Sequence, residues 1–332
     1  MTQFAIGLVF AAVSLHWIPQ ASHSTAGLRG LSVVSDKIAW ASGSKGTVLR
    51  TLDGGSHWEM RKVEGGEALD FRDVVAFDGK TALVMASGTG EAARVYFTED
   101  GGGRWTLVLR NPDKTGFFDA MKFWDRRHGM LLGDPVDGRF TIFTTADGGM
   151  TWRKATQPLA LKDEGAFAAS GTCLTVRGRQ EAWFGSGGVG GGRVFHTVDG
   201  GKTWTVAATP LAGETAASGI FSVRFLDALH GIAAGGDYQK PDETARSLAV
   251  SGDGGKTWSV PAGALGGFRS GIAYLPRQRM VIAVGTSGSD YSVDGGVGWK
   301  AISKDALNAV ASKGDAVWAV GPKGLVVKLA LH

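Results

Sequence analysis

Short runs of alternating apolar and polar residues recur along the whole chain, and glycine-rich turns interrupt them. GTVLR, ARVYF, FTIF and GRVF are such runs. Alternation of this kind predicts β-strands with one face buried. Each of these runs leads into the same kind of turn. TLDGGSHW begins at Thr51, TEDGGGRW at Thr98, TADGGMTW at Thr145, TVDGGKTW at Thr197, SGDGGKTW at Ser251 and SVDGGVGW at Ser292. The two glycines supply positive φ without steric cost. The aspartate (Asp53, Asp100, Asp147, Asp199, Asp253, Asp294) can accept backbone N–H bonds inside its own turn. The tryptophan (Trp58, Trp105, Trp152, Trp204, Trp258, Trp299) opens an outgoing strand such as WTLVLR or WTVAA. The turn therefore joins two strands of a hairpin, and its aspartates are expected to be structural, held by buried turn hydrogen bonds.

Successive aspartates lie 47, 47, 52, 54 and 41 residues apart. That spacing suits a four-stranded propeller blade with variable loops. Two further strands precede each turn. The first opens as LRGL at 28–31, FRDV at 71–74, FDAM at 118–121, FAAS at 167–170, FSVR at 221–224, FRSG at 268–271 and LNAV at 307–310. The second is an apolar run ending on a small residue, as in IAWASG, HGMLLGD and AVWAVG. Seven openings against six turns leave the last unit one strand short. Near Leu15 to Ile18, HWIP supplies an unmatched strand, with Trp17 lying 41 residues before Trp58. The pattern predicts an all-β, seven-bladed propeller of four-stranded antiparallel blades, closed by this N-terminal strand. Closure removes the free sheet edges that an open solenoid of the same units would keep. The expected domain spans residues 15–332. Residues 1–14 are set apart as a truncated signal peptide or a disordered N-terminus. Their apolar stretch, Phe4 to Val13, is too short to span a bilayer and has no basic residue near Met1. The expected location is periplasmic or secreted, with cytoplasmic as the alternative.

Composition narrows the chemistry. Glycine contributes 52 of 332 residues, well above the usual share of about 7%. Without a G-x-y period, and with 43% apolar residues, this is neither collagen nor a disordered chain. The formal charge of +4 comes without a basic block, so no nucleic-acid partner is expected. Cys173 is the only cysteine, and the seven histidines include no H-x-x-x-H pair. No internal disulfide, metal or cofactor is expected.

The repeated turns are Asp-box, or BNR, repeats. With phrases such as MKFWDRRHGMLLGD at 121–134 and VRFLDALHGIAAGG at 223–236, the chain resembles the Ycf48-like photosystem II stability and assembly factors over residues 16–330. It resembles sialidases and sortilin-type receptors more distantly. The closer resemblance implies a non-enzymatic assembly or scaffold propeller that binds a protein or peptide, read here as a monomer. In a propeller the first strands line the central channel, so the residue after each opening aromatic or leucine is informative. Around the ring it is Arg29, Arg72, Asp119, Ala168, Ser222, Arg269 and Asn308. The arginines suggest an anion site, because guanidinium matches carboxylate in a bidentate fork, unless they pair with Asp119 or with loop acids such as Asp134. The binding candidates are thus Arg29, Arg72, Asp119, Arg269, Asn308 and, in a loop, Tyr238. The alternative is a glycan-binding or sialidase-like propeller. FRDV and FRSG keep the first two letters of the sialidase F/Y-R-I-P motif and lose its proline, and Tyr238 with Glu243 nearby is the one thin match to a tyrosine–glutamate pair.

Overall fold

The computed structural model describes residues 15–331. The signal-peptide expectation for residues 1–14 lies outside the described residues. Seven antiparallel sheets form the propeller. Their first strands touch one another in ring order, the first blade meeting both the second and the seventh. In the first blade the strands are Leu28–Val33, Ala39–Gly43, Thr47–Thr51 and Glu59–Met60. The seventh blade holds Ala309–Lys313, Ala316–Val320 and Val326–Leu331, and its outermost strand is Leu15–Gln20. Leu15 pairs with Leu331 and Gln20 with Val326 in unbroken antiparallel register. The N-terminal closure is therefore as the repeat predicts.

Seven apolar clusters fill the seven gaps between blades, and each contains one tryptophan from the outer part of the later blade. Trp58 packs between the seventh and first blades, Trp105 between the first and second, and Trp152 between the second and third. Trp204, Trp258 and Trp299 continue the series. The last gap, between the sixth and seventh blades, is filled by Trp17. The closing strand thus supplies the wedge that a seventh Asp box would have supplied. Trp17 donates Nε1–H to Ser289 Oγ at 2.9 Å. Gln20, on the same strand, accepts from both Trp58 Nε1 and Trp318 Nε1 at 3.0 Å.

All six boxes share one hydrogen-bond pattern, and it corrects one expectation. The carboxylates lie at the solvent-facing surface, not in a buried turn. In the fourth box, Asp199 Oδ1 accepts from the N–H groups of Lys202 and Thr203, each at 2.9 Å and exposed. The buried bond belongs to the leading hydroxyl. Thr197 Oγ1 accepts from Gly201 N at 3.0 Å and donates to Asp199 Oδ1 at 2.8 Å. Thr51, Thr98, Thr145, Ser251 and Ser292 repeat it. Gly200 and Gly201 stand at φ +74° and +90°, and a Cβ on Gly201 would lie 2.8 Å from Met130 Cε of the preceding blade.

Two sheets depart from the repeat. The fifth blade carries two short inner additions, Glu164–Gly165 and Gly187–Gly188, and its outer strand shrinks to a bridge between Val250 and Ser259. In the fourth blade the first strand is Leu174–Arg177. FAAS at 167–170 is therefore a loop, and Ala168 is not a first-strand residue.

Deleting residues 1–20 should lower the melting temperature far more than deleting residues 1–14. Trp17→Ala alone should cost about 3–5 kcal/mol, measured by denaturant unfolding. In the boxes, Thr197→Val should cost about 1–3 kcal/mol, because it leaves the buried Gly201 N–H without an acceptor. Hydrogen bonds within the turn hold the Asp253 carboxyl down at about 2. Its ionised form therefore stabilises the fold above the ordinary aspartate pKa, near 4, and that contribution is lost as pH falls through about 2. The stability gap between wild type and Asp253→Asn should accordingly close over that window.

Candidate functional site

In four blades a bulge in the first strand decides which side chain reaches the channel mouth. The pairing slips by one between Leu28 and Gly30, between Phe71 and Asp73, between Phe118 and Ala120, and between Ile220 and Ser222. The extra residue of a bulge is turned out of the ladder. Arg29, Arg72, Asp119 and Phe221 occupy that place, so in the fifth blade Phe221 reaches the mouth and Ser222 does not. The sixth blade is offset by one residue in the opposite sense. Leu28 N donates to Gly321 O of the preceding blade, Leu307 N to Gly285 O, and Arg269 N to Gly235 O. Arg269 is therefore the counterpart of Leu28, and Ser270 is the counterpart of Arg29.

The offset removes Arg269 from the anion site. Its side chain is 2% exposed, with Nε and Nη2 on Asp290 Oδ2 at 2.7 and 2.6 Å. Nη1 donates to Phe268 O and Ser287 Oγ. Arg269 is held in a buried ion pair, with all three of its nitrogens engaged.

The remaining candidates converge on one cavity of about 470 Å³, lined by Arg29, Arg72, Asp119, Tyr238 and Asn308 among others. Arg72 donates Nε–H to Asp70 at 2.7 Å and lies 5.9 Å over the Phe117 ring. Arg29 has no hydrogen-bonding partner among the described residues. Burial and the nearby Arg72 charge lower its pKa, and Asp70 opposes them. Asp119 is 1% exposed, and neither of its oxygens has a partner among the described residues. Burial first, and then the Asp134 charge, push its pKa well above the ordinary carboxylate value, while Arg72 opposes them. Asp134 is also raised by burial, and accepts from Ala166 N at 2.9 Å. Asp119 thus does not neutralise the arginines through a direct bond.

Aromatic rings form the opposite wall, which the one-residue offset hid from sequence reasoning. Phe221 stacks on Phe167 at 3.8 Å and meets Phe268 and Tyr238 edge-on at 4.7 and 6.2 Å. The base is a hydrogen-bonded floor. Ser170 Oγ donates to Ser270 O at 2.6 Å, joining the fourth and sixth blades across the axis. Ser270 Oγ donates to Asn308 O, and Asn308 Nδ2 to Leu28 O at 2.8 Å. Asn308 is thereby committed to the floor. Gly171 packs against Asp73 of the second blade, where a Cβ would lie 2.3 Å from Oδ1. Tyr238 lines the mouth, but Glu243 lines a separate cavity with Asp237 and Arg246. The tyrosine–glutamate pairing is not assembled. A groove of about 510 Å³ also runs along the box side, but its acids Asp147 and Asp199 are locked in their turns. The mouth is the cavity that brings together an arginine and a buried acid, both unpartnered among the described residues. Among the described residues no cluster of three or more His, Cys, Asp or Glu could hold a metal ion, and no helix is long and apolar enough to cross a membrane.

A bladed ring clipped by six such boxes, with arginines, acids and aromatics at its mouth, defines a propeller of the Asp-box class. Comparison with known proteins takes the likeness one step further, to the Ycf48-like assembly factors. The model of the family described as photosynthesis system II assembly factor YCF48 matches residues 11–117. The chloroplastic photosystem II stability/assembly factor HCF136 of Arabidopsis thaliana is 27% identical over 118 residues, 35% of this chain and 27% of its own length. The photosystem II assembly protein Ycf48 of Synechococcus sp. (strain JA-2-3B'a(2-13)) is 27% identical over 149 residues, 44% of this chain and 41% of its own. The matched region thus spans less than half the length of either relative. Among solved structures, YCF48 bound to D1 peptide superposes with a TM-score of 0.66 at 17% identity, covering 97% of this chain and 96% of that one. YCF48 from Cyanidioschyzon merolae gives 0.63 at 20% identity, covering 94% and 98%. U3-55K also reaches 0.66, at 12% identity, covering 95% and 98%, so superposition at this level speaks for the fold alone. The resemblance carried by the boxes and strand phrases stands: the chain is similar to the Ycf48-like propellers.

Because Asp119 is buried with a raised folded pKa, its contribution to stability is present below the ordinary aspartate pKa and is lost as pH rises through the folded value. Asp119→Asn should therefore be more stable than wild type at neutral pH, and thermal melts should show the gap vanishing below about pH 4.

Proposed function

We propose that this protein is a non-enzymatic, protein-binding propeller of the photosystem II assembly-factor-like type, which holds a peptide segment of a client protein at the channel mouth. One observation carries the reading: Arg29 is half-buried in the wall of the cavity, and its guanidinium has no hydrogen-bonding partner among the described residues. A guanidinium kept without a partner in such a place suits a ligand carboxylate. Arg72, half-committed to Asp70, stands beside it to complete the clamp. Phe221, Phe167 and Tyr238 offer rigid faces for apolar contact. The likeness to Ycf48 proteins, one of them solved with a D1 peptide, supports a peptide as the class of ligand. A preformed ring also binds with little ordering cost. Within the same proposal the protein works outside the cytoplasm, on the strength of the apolar stretch Phe4 to Val13. The sialidase-like alternative has no observation in its favour, since Tyr238 and Glu243 line different cavities.

The test is quantitative co-purification from native extract with wild type and Arg29→Glu/Arg72→Glu, alongside melting temperatures of both. Recovery of the client should fall at least about tenfold, as expected when a buried charge contact of about 2 kcal/mol or more is reversed. Equal recovery by a folded double variant would overturn the proposed surface.

A further inference from the structure

We infer that the mouth is a two-ended site, in which Arg29 and Arg72 take a carboxylate while Asp119, backed by Asp134, takes a cationic side chain of the same peptide. This rests on the peptide-binding reading above and adds to it the chemistry of the ligand. The second end stands on its own observation. Asp119 lines the cavity, is 1% exposed, and has both carboxylate oxygens unpartnered among the described residues. Asp134 adds a second, half-buried acid to the same wall, with Oδ1 already engaged by Ala166 N. Arg72, the cation whose charge acts on Asp119, has its Nε on Asp70 and lies over Phe117.

Two acids in one cavity wall, without a cation bonded between them, are costly to ionise in the empty site, and an entering lysine or arginine side chain would offset that cost. The aromatic wall favours the same ligand, because ring faces attract a desolvated cation. Phe221 and Tyr238 reach the mouth from the fifth blade, whereas Asp119 and Asp134 belong to the third. A cation entering between them would meet acids on one side and rings on the other. The volume, about 470 Å³, is of the size that encloses small ligands. It leaves room for the two charged groups of a short peptide, not for a folded domain. Asp119 is thus a specificity-determining residue: it would discriminate among carboxylate-bearing peptides by the side chain next to the carboxylate.

Three synthetic probes separate the two ends by calorimetric titration: acetyl-Ala-Ala-Lys-Ala with a free carboxylate, the same peptide with norleucine in place of lysine, and the lysine peptide as its C-terminal amide. Wild type should bind the first at least about tenfold more tightly than either of the others. Asp119→Asn, an isosteric change checked by its melting curve, should lose the preference for lysine over norleucine and keep the preference for carboxylate over amide. Arg29→Gln should do the reverse. Asp134→Asn provides a second acid variant if Asp119→Asn fails to fold, and should weaken the lysine preference in the same direction. If wild type prefers carboxylate over amide but binds lysine and norleucine peptides equally, the two-ended site is wrong and the peptide-binding mouth survives. If none of the three probes binds, both are wrong.

Discussion

Everything in this molecule depends on six residues from one end of the chain completing the sheet formed by the other. Without Leu15–Gln20, Val326–Leu331 would be an exposed sheet edge, and the gap between the sixth and seventh blades would lack its tryptophan. The strand does two jobs because it carries two different side chains. Trp17 fills the apolar gap behind it. Gln20 reaches forward to bind Trp58 and Trp318, and its Nε2 bonds Gly54 O in the first box. The join thus ties three neighbouring blades, and the positions of all mouth residues follow from the ring it closes.

Within that ring the Asp box is a clip for the wedge. Its leading hydroxyl satisfies a buried backbone N–H, its acid orders the exposed part of the turn, and the ordered turn sets where the tryptophan enters the preceding gap. This is why the box tolerates varied residues between its fixed letters. It is also why the box recurs in propellers with different functions: its bonds are spent on the turn.

The blade count, the order of strands and the identity of the closing strand were legible in the sequence, because each rests on a repeated local pattern. The mouth was legible in part. Arg29, Arg72 and Asp119 follow from the repeat because their blades share one register. Phe221 and Ser270 do not, because the residue that reaches the mouth depends on where the strand bulges, and Phe268-Arg269 reads in sequence just like Phe71-Arg72. Only the partner backbone, Gly235 O for Arg269, reveals the offset. The floor was equally hidden, since it joins Ser170 and Ser270 across 100 residues by a side-chain-to-backbone bond. That Asp119 is unpartnered among the described residues is a property of absent neighbours, which no local pattern encodes.

The floor has a topological consequence. The loop bearing Ser170 and Gly171 reaches across the axis, bonding Ser270 of the sixth blade and pressing against Asp73 of the second, while Ser270, Asn308 and Leu28 link neighbouring blades in turn. The ring is therefore a cup and not a tube. A polypeptide cannot thread it; it can only put in a free end or the tip of a tight loop, and must leave by the way it came. A site of the proposed kind would be blind to the length of what lies outside it: a segment held there could belong to a much larger protein and be released without unwinding anything.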